Sequence, residues 1–393
     1  MCKYSFNPFY LKNPTWQSAS CGAFTNNDIL TFHKSLKGYD PSPLIVLPSL
    51  ASKLGVGNIY VKDESKRFGI NAFKALGASY AIYNVLKKAW ESKIGTPFTP
   101  KVFADKDSMR KLGAFTFSAA TDGNHGKAVA WTAKMLNQKA VIYMPDNTAH
   151  FRIENIEKEG AKVILVAGTF DDCVKQNDQD AKLNNWQVIS DTAYEGYMEI
   201  PNFIMAGYST IYRELDDSLK FDFVFLQAGV GGLTAAGAWY FTHKYKENRP
   251  KLICVEPTES DCFLESIING NGLPIATKGN QESIMAGLNC GIPSELAWPY
   301  IKDSMDLFLA VSDSYAEKAM QQYYYTSGKD QRIISGESGA SGLAGLIALM
   351  QSKSLESAKN KIGISNKSNI LIINTEGDTD PINFKAVIDK YIE

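Results

Sequence analysis

Short apolar runs alternate with amphipathic stretches along most of the chain. The runs are rich in Val, Ile and Phe, and several lack apolar–polar alternation, which is typical of strands buried on both faces. We predict strands at Ile59–Val61, Ala114–Ala119, Ala140–Met144, Lys162–Val166, Gln187–Ser190, Asp222–Leu226, Leu252–Val255, Leu307–Val311 and Ile370–Ile373.

Between these runs, apolar residues recur every three or four positions, which is the spacing of a helix with one buried face. The clearest sets are Leu76, Tyr80, Tyr83, Leu86 and Trp90, and then Ile204, Tyr208, Ile211 and Leu215. Strands that alternate with helices indicate parallel sheets covered by helices, so we predict an α/β protein. A chain of 393 residues is longer than one compact core usually organises, which favours two domains.

Composition and charge narrow the class of partner. Hydrophobic residues make up 45% of the chain and charged residues 21%, which is typical of a globular protein. Lys plus Arg number 41 and Asp plus Glu 42, so no basic excess is available for binding a nucleic acid. The amino terminus lacks the apolar segment of a signal peptide, and no run of 18 apolar residues occurs, so we expect a cytoplasmic protein without a membrane span.

The cysteines and histidines do not follow the spacing of a metal site. Six cysteines form no C-x-x-C pair, and the four histidines are scattered. We therefore expect no metal centre and free thiols. Cys262 and Cys290 can still meet in space, and the sequence leaves their redox state open.

Two turns have the form of a ligand site in a parallel α/β protein. Such sites lie beyond the carboxyl ends of strands, where the chain enters a helix. Residues 117–126 and 225–234 both fit, because each places glycine-supported backbone N–H groups at the amino end of a helix, where anions bind. Two anion sites predict a ligand that carries two anionic groups.

Both turns also have a purely structural interpretation. The turn at 229–233 lacks the Gly-x-Gly-x-x-Gly fingerprint and the Walker A lysine, so its glycines either bind a phosphate or serve only a tight turn. The turn at 121–126 either binds a ligand or simply caps its helix, since Asp and Asn are good caps.

Lys74 is a third candidate, near the start of the helix that follows the strand at Ile59–Val61. Most lysines on amphipathic helices face solvent, and the chain has 41 basic residues, so the residue type alone assigns no role. The neighbours of Lys74 are apolar or small, namely Phe73, Ala75, Leu76, Gly77 and Ala78. Such surroundings favour the neutral amine that a Schiff-base lysine needs.

The order of these motifs resembles a known family. The segments are Arg67–Lys74, Thr121–Gly126, Asp191–Tyr197, Ile200–Pro201, Met205–Tyr208, Glu256–Pro257, Ile284–Leu288 and Thr375–Asp380. Together they resemble the fold-type II pyridoxal-phosphate (PLP) enzymes, which include the serine and threonine dehydratases. Asp122 and the Asp191–Tyr197 segment make the chain most similar to the diaminopropionate ammonia-lyase branch. The resemblance extends from about residue 60 to the end of the chain.

The resemblance implies a fold and a domain organisation. The fold is the tryptophan synthase β-like arrangement, an α/β fold with two open, twisted, mainly parallel sheets flanked by helices. Residues 1–79 and 201–393 are expected to form a discontinuous large PLP-binding domain. Residues 80–200 are expected to form a small domain that closes over the substrate. A homodimer is expected on the same ground.

The resemblance also implies roles for individual residues. Lys74 is expected to carry PLP as a Schiff base, and Asn124 to hydrogen-bond the ring oxygen. The phosphate would be bound by the backbone amides of Gly229, Val230, Gly231, Gly232 and Leu233. Thr375 would face the pyridine nitrogen, with Glu337 and Ser338 as alternatives for that edge. The substrate carboxylate would be received by the turn that contains Thr121, Asp122, Gly123, Asn124 and His125.

Asp122 and Asp191 point to a substrate with a second amino group. A carboxylate beside the site of the substrate carboxylate is unfavourable unless a cation also binds there, and a β-ammonium group supplies one. The family pattern further implies that Asp122 removes the Cα proton of the D-isomer and Lys74 that of the L-isomer. Alternatively, Asp122 is only a helix cap and Asp191 only ends a strand.

The resemblance thus implies α,β-elimination of 2,3-diaminopropionate, as the D-isomer, the L-isomer or both, through aminoacrylate to pyruvate and two ammonia. The enzyme would be a PLP-dependent carbon–nitrogen lyase. The alternatives are a serine or threonine dehydratase, against which Asp122 argues, and a non-catalytic PLP or amino-acid binding protein, against which Lys74 argues.

Overall fold

The computed structural model describes residues 2–14, 16, 19–121 and 123–390, without the side chains of residues 19–21. Eleven strands form within these residues. They are β1 (Lys3–Phe6), β2 (Leu44–Val46), β3 (Asn58–Asp63), β4 (Thr116–Ala120), β5 (Lys139–Pro145), β6 (Lys162–Val166), β7 (Gln187–Val188), β8 (Phe223–Gln227), β9 (Lys251–Pro257), β10 (Leu307–Val311) and β11 (Asn369–Asn374).

Helices separate most of the strands. They are α1 (Ala19–Thr25), α2 (Asp28–Ser35), α3 (Pro48–Leu54), α4 (Lys74–Ile94), α5 (Pro100–Ala104), α6 (Lys106–Leu112), α7 (Asn124–Met135), α8 (His150–Glu157), α9 (Phe170–Asn184), α10 (Glu199–Tyr208), α11 (Thr210–Arg213), α12 (Gly232–Tyr245), α13 (Cys262–Asn269), α14 (Trp298–Ser304), α15 (Asp313–Tyr324), α16 (Ser341–Gln351), α17 (Glu356–Ile362) and α18 (Pro381–Asp389). Short 3₁₀ turns occur at Arg67–Gly69, Lys246–Asn248, Ala286–Leu288 and Lys353–Leu355.

The chain divides into two compact units. The first unit comprises residues 1–18, 41–66 and 211–393, and the second comprises residues 19–40 and 67–210. Each unit has its own sheet, with seven strands in the first and four in the second. None of the helices in the described residues is long and apolar enough to cross a membrane.

The sheet of the first unit has the order β1-β10-β9-β8-β11-β3-β2. Its five central strands are parallel, and the edge strands β1 and β2 pair antiparallel. Helix α16 packs directly on this sheet because Gly342 and Gly345 have no side chain. A Cβ atom at Gly345 would lie 2.6 Å from Val255 Cγ2, and one at Gly342 would lie 2.8 Å from Ile372 Cγ2. The carboxyl ends of the central strands carry Gln227 and Asn374, which is followed by Thr375.

The sheet of the second unit has the order β6-β5-β4-β7 and is parallel throughout. Helix α4 packs against α7 and α10. The α4–α10 contact is close because a Cβ at Gly77 would lie 2.5 Å from Tyr208 Cε1, and one at Gly207 would lie 2.5 Å from the Leu76 carbonyl oxygen. These two glycines bring Tyr208 to the amino end of α4.

The predicted α/β fold with two mainly parallel sheets is confirmed, and all nine predicted strands occur, with shifts of one or two residues at most ends. The prediction missed β1 and β2. It also treated Ile204–Leu215 as one amphipathic stretch, whereas the structure has two helices there. The two helices are separated at Ser209, whose hydroxyl donates to the Ala206 carbonyl oxygen at 2.6 Å.

The main limits of the two units, at residues 66/67 and 210/211, differ from those of the predicted domains, at 79/80 and 200/201. Lys74 lies in the second unit because α4, which begins at Lys74, packs along α7 and α10 of that unit. Residues 19–40 also belong to the second unit. The roles of a cofactor domain and a substrate-closing domain stay predictions.

Candidate active site

Lys74 is the first residue of α4, at the end of an unusual stretch of backbone. Phe68, Gly69 and Asn71 all have positive φ, at 51°, 73° and 63°. Non-glycine residues avoid this region, and such conformations cluster at functional sites, where the surrounding structure holds them. This stretch of backbone leads directly into α4 and places the Lys74 side chain at the beginning of the helix. The Lys74 ammonium nitrogen lies 5.5 Å from the centre of the Phe73 ring and 5.9 Å from the centre of the Tyr208 ring.

The Lys74 ammonium group is paired with Asp191. Lys74 Nζ donates to Asp191 Oδ2 at 2.7 Å, and both side chains are about four-fifths buried. Burial raises the pKa of the Asp191 carboxyl, but attraction to His125 and Lys74 outweighs it and holds the pKa well below its usual range. Asp191 is therefore an anion at neutral pH. The structure thus brings together two predicted site residues that are 117 positions apart.

The predicted substrate turn also lies in the second unit, between β4 and α7. Thr121 Oγ1 accepts hydrogen bonds from the N–H groups of Gly123, at 3.0 Å, and Gly126, at 3.2 Å, which closes the turn. Asn124 and His125 begin α7, so the backbone amides of its first turn form the helix amino end that was predicted. Asp122 lies outside the described residues.

His125 joins this turn to Asp191. Its ring is buried, Nε2 is 2.7 Å from the Ile189 carbonyl oxygen, and Nδ1 is 3.8 Å from Asp191 Oδ2. Lys74, Asp191 and His125 therefore form one cluster, in which a single carboxylate oxygen lies next to two nitrogen atoms.

The predicted phosphate turn, residues 229–233, lies in the first unit between β8 and α12. Gly231 has φ of +99°, a conformation that favours glycine. A Cβ there would lie 2.5 Å from Phe263 Cζ and 2.8 Å from Ile301 Cδ1, so there is no room for a side chain. Helix α12 begins at Gly232 and runs for 14 residues, so its first backbone amides are free of intrahelical partners. Narrow glycine turns of this kind bind phosphate groups.

Two cysteines lie beside this turn. Cys262 Sγ is 3.9 Å from the Gly229 carbonyl oxygen, and a Cβ at Gly229 would lie 3.0 Å from Cys290 Sγ. Both are free thiols, as are Cys2, Cys173 and Cys254 among the described side chains. Burial raises the pKa of the Cys262 thiol, so this group stays protonated.

A buried carboxyl group holds the segment that packs on Gly231. Glu256 Oε1 and Oε2 accept hydrogen bonds from the N–H groups of Phe263, at 2.7 Å, and Leu264, at 2.8 Å. Burial raises the pKa of Glu256 to about 8, although these two hydrogen bonds act in the opposite direction. Glu256 thereby positions the start of α13, including Phe263, which contacts Gly231.

Thr375 is held in the first unit by Gln227. Gln227 Nε2 lies 3.3 Å from Thr375 Oγ1 and 3.0 Å from the Ile373 carbonyl oxygen. Because Thr375 accepts from this amide, its own hydroxyl hydrogen can be donated elsewhere, as a pyridine nitrogen requires. Of the two alternatives, Ser338 accepts from the Gly287 N–H at 3.0 Å, and Glu337 is buried.

In the first unit, the glycine turn suits a phosphate group, because a Cβ at Gly231 has no room, and Thr375 suits a ring nitrogen, because its hydroxyl accepts from Gln227. In the second unit, Lys74 at the start of α4 suits covalent attachment of an aldehyde. Among the residues that the structure describes, there is no group of three or more His, Cys, Asp or Glu side chains that could hold a metal ion.

Three residues beside the site, Gln227, Glu256 and Tyr208, received no individual role from the sequence. Glu256 and Tyr208 lie in segments that carry the family resemblance, and Gln227 lies in the turn at 225–234. A further signal for Gln227 and Glu256 is that each directly follows a predicted strand, since that edge of a parallel sheet carries ligand sites.

Comparisons with known proteins agree with this geometry. A family model described as "Pyridoxal-phosphate dependent enzyme" matches residues 36–374. The chain is 37% identical to a diaminopropionate ammonia-lyase of Salmonella typhimurium over 99% of this chain and 98% of that protein. It is 39% identical to the diaminopropionate ammonia-lyase of Escherichia coli K12 over 91% of this chain and 89% of that protein.

A solved structure is equally similar. The crystal structure of the Escherichia coli diaminopropionate ammonia-lyase in complex with an aminoacrylate–PLP azomethine reaction intermediate superimposes with a TM-score of 0.86 at 36% identity. The match covers 99% of this chain and 97% of that one. With its lysine at the start of α4 and its glycine turn before α12, the chain belongs to the pyridoxal-phosphate-dependent enzymes and, within them, to the diaminopropionate ammonia-lyase family.

Proposed function

We propose that this chain is a PLP-dependent lyase that converts 2,3-diaminopropionate into pyruvate and two molecules of ammonia by α,β-elimination. The observation that carries the proposal is the ion pair between Lys74 and Asp191, at 2.7 Å. It combines the lysine that PLP chemistry requires with an anion that suits a doubly aminated substrate.

When bound, the cofactor supplies the electron sink that makes the substrate Cα–H acidic and allows the β-substituent to leave. The chain supplies the attachment and the orientation. Lys74 would hold the aldehyde carbon covalently, the amides of 229–233 would bind the phosphate, and Thr375 would donate to the pyridine nitrogen. Asn124, at the start of α7, would hydrogen-bond the ring oxygen.

Asp191 is the group that recognises the second amino group. Its carboxyl is ionised at neutral pH, and its oxygen already accepts a hydrogen bond from an ammonium group. A β-ammonium of diaminopropionate has the same chemistry, and charge-assisted hydrogen bonds of this kind are about twice as strong as neutral ones. A β-nitrogen held as ammonium leaves as neutral ammonia. Serine has a neutral hydroxyl at this position, so it gains less from an anion, which disfavours a dehydratase.

Asp122 and Lys74 are the proposed bases for the two enantiomers. A base on each face of the substrate allows both the D- and the L-isomer to lose the Cα proton. In the sequence, Asp122 stands between Thr121 and Gly123. These residues belong to the segment that we propose receives the substrate carboxylate.

We propose that the enzyme works as a homodimer in the cytoplasm. The dimer is proposed from the family resemblance, and the compartment from the free thiols of the described cysteines, which fit a reducing environment. Light scattering of the purified enzyme should give twice the chain mass of 43.4 kDa. A single-chain mass at micromolar concentration would contradict the dimer.

The activity is tested by product stoichiometry. The purified enzyme, supplied with PLP, is incubated separately with D- and L-diaminopropionate, and pyruvate and ammonia are measured. We expect two ammonia for each pyruvate, and kcat/KM for at least one isomer well above that for serine or threonine. A higher kcat/KM for serine or threonine would identify a dehydratase, and an absence of turnover with all four compounds would contradict the enzyme assignment.

A further inference from the structure

The tautomer of His125 is fixed by its surroundings. Nε2 lies 2.7 Å from the carbonyl oxygen of Ile189, and a carbonyl can only accept, so Nε2 carries a hydrogen atom. The side chain is buried, with a relative exposure of 4%. The protonation state of the ring can therefore change only at Nδ1.

The surroundings of Nδ1 favour a bound proton. It is buried and has no hydrogen-bond partner in the described part of the chain, which is costly for a polar atom. It is 3.8 Å from Asp191 Oδ2, the same oxygen that accepts from Lys74 Nζ at 2.7 Å. Protonation of Nδ1 would turn this unpaired contact into a charge-assisted hydrogen bond after a movement of about 1 Å.

The charge of Asp191 makes a proton on Nδ1 favourable when Lys74 is neutral. While Lys74 is an ammonium ion, the two charges compensate each other. Lys74 must become a neutral amine before it can attack an aldehyde, because only the free amine is a nucleophile. Asp191, only about one-fifth exposed, would then be an anion without a counter-ion, which is unfavourable in a buried site.

We propose that His125 is a positioning residue for cofactor attachment: its Nδ1 receives the proton that Lys74 loses, so that Asp191 keeps a cationic neighbour. An Nζ–H bond breaks and an Nδ1–H bond forms. Lys74 becomes an amine, His125 an imidazolium, and Asp191 is a carboxylate before and after. The amine then condenses with the PLP aldehyde, with loss of water. This inference rests on the proposed function, because it takes Lys74 as the attachment point.

The other titratable groups around Asp191 are unsuited to this role. Tyr208, on α10, has its ring near Lys74, and the Tyr197 hydroxyl donates to the Val188 carbonyl oxygen at 3.0 Å. Burial raises the pKa of both phenols far above the ordinary value, so they stay neutral and take up no proton. Asp122 lies outside the described residues.

The first test observes the ring directly. The chain has only four histidines, so ¹⁵N NMR of the full-length enzyme resolves them, and a His125→Gln variant assigns the signal. At pH 7.5 we expect a neutral ring with Nε2 protonated before PLP is added, and an imidazolium after PLP has bound. A ring that keeps the same charge state in both forms would overturn the proposal.

The second test measures the rate of attachment through the visible absorption band of the lysine-bound cofactor. His125→Gln keeps an amide donor for the Ile189 carbonyl but lacks Nδ1. We expect attachment at pH 7.5 to be roughly 100-fold slower, the usual scale of a lost proton acceptor, with recovery at higher pH. The control is His150→Gln, since His150 is on the exposed side of α8, with 83% of its side chain accessible.

The results separate the two proposals. An unchanged attachment rate in His125→Gln across the pH range would overturn the role of His125 while leaving the proposed function intact. If the wild-type enzyme develops no absorption band with PLP, the proposed function itself fails.

Discussion

Replacing Gly231 by Ala tests whether the turn at 229–233 binds the phosphate. The methyl group would be placed on a residue with φ of +99° and within 2.5–3.0 Å of Phe263, Ile301 and Ala297. The backbone strain costs about 1–3 kcal/mol, and the overpacking costs about another 1–3 kcal/mol. The turn relieves this strain by shifting, and its amides then no longer converge on one anion.

We expect the Kd for PLP to rise by at least about tenfold, which corresponds to about 1.4 kcal/mol of the total cost. The assay is a titration of the cofactor-free enzyme with PLP, followed by visible absorption or by quenching of tryptophan fluorescence. Pyruvate formation at saturating PLP should recover in part, since Lys74 and Asp191 are in the other unit.

Gly55→Ala is the matched control. Gly55 also has a positive φ, +71°, but a Cβ there would have no atom within 4 Å, so the variant has the strain without the overpacking. It lies in the first unit, at the end of α3. We expect lower thermal stability and an unchanged Kd for PLP. A Gly231→Ala enzyme that binds PLP within about twofold of wild type would refute the assignment of this turn.

The remaining predictions concern three acidic residues. Asp191→Asn should lower kcat/KM for diaminopropionate by about 10- to 100-fold, the scale of one charge-assisted hydrogen bond, and should change the slow turnover of serine less; equal losses would contradict its role. Asp122→Asn should reduce activity far more with the D- than with the L-isomer, and equal reductions would refute the division between two bases. Glu256 has a pKa of about 8 in the folded protein, against an ordinary value of 4.5. Between these two pH values, unfolding releases its proton. The free energy of unfolding should therefore fall as the pH rises from 4.5 to 8, by about 1.4 kcal/mol per pH unit. Urea unfolding at pH 5.5, 6.5 and 7.5 should show a shallower fall for Glu256→Gln, and parallel curves would contradict the buried, protonated state.

The central strands could be predicted from the sequence because nearly all of their residues are buried, so that each strand appears as a short apolar run. Strand β10, for example, has five buried apolar residues in succession. This pattern is typical of a strand that is covered on both faces of the sheet. The edge strands β1 and β2 have only four and three residues, with partly exposed side chains, and their antiparallel pairing depends on neighbours distant in sequence. No local pattern marks them.

In the candidate site, too, local sequence patterns predict some features, whereas others depend on contacts between residues distant in sequence. Lys74, the turn at 121–126 and the glycine turn at 229–233 follow from strand–turn–helix patterns together with the family resemblance. The pairing of Lys74 with Asp191 is a tertiary contact that residue spacing does not predict. The carboxamide of Gln227 and the carboxyl group of Glu256 form buried hydrogen bonds, and a single polar residue after a strand does not reveal its partners.

The central claim is that Lys74 carries the cofactor, and it is tested most directly by trapping that bond. The enzyme is mixed with PLP, reduced with borohydride and digested, and the peptides are identified by mass spectrometry. We predict that the peptide containing Lys74 gains the mass of a reduced phosphopyridoxyl group, and that Lys74→Ala abolishes both this product and pyruvate formation. A label on another lysine, or turnover without Lys74, would contradict the account.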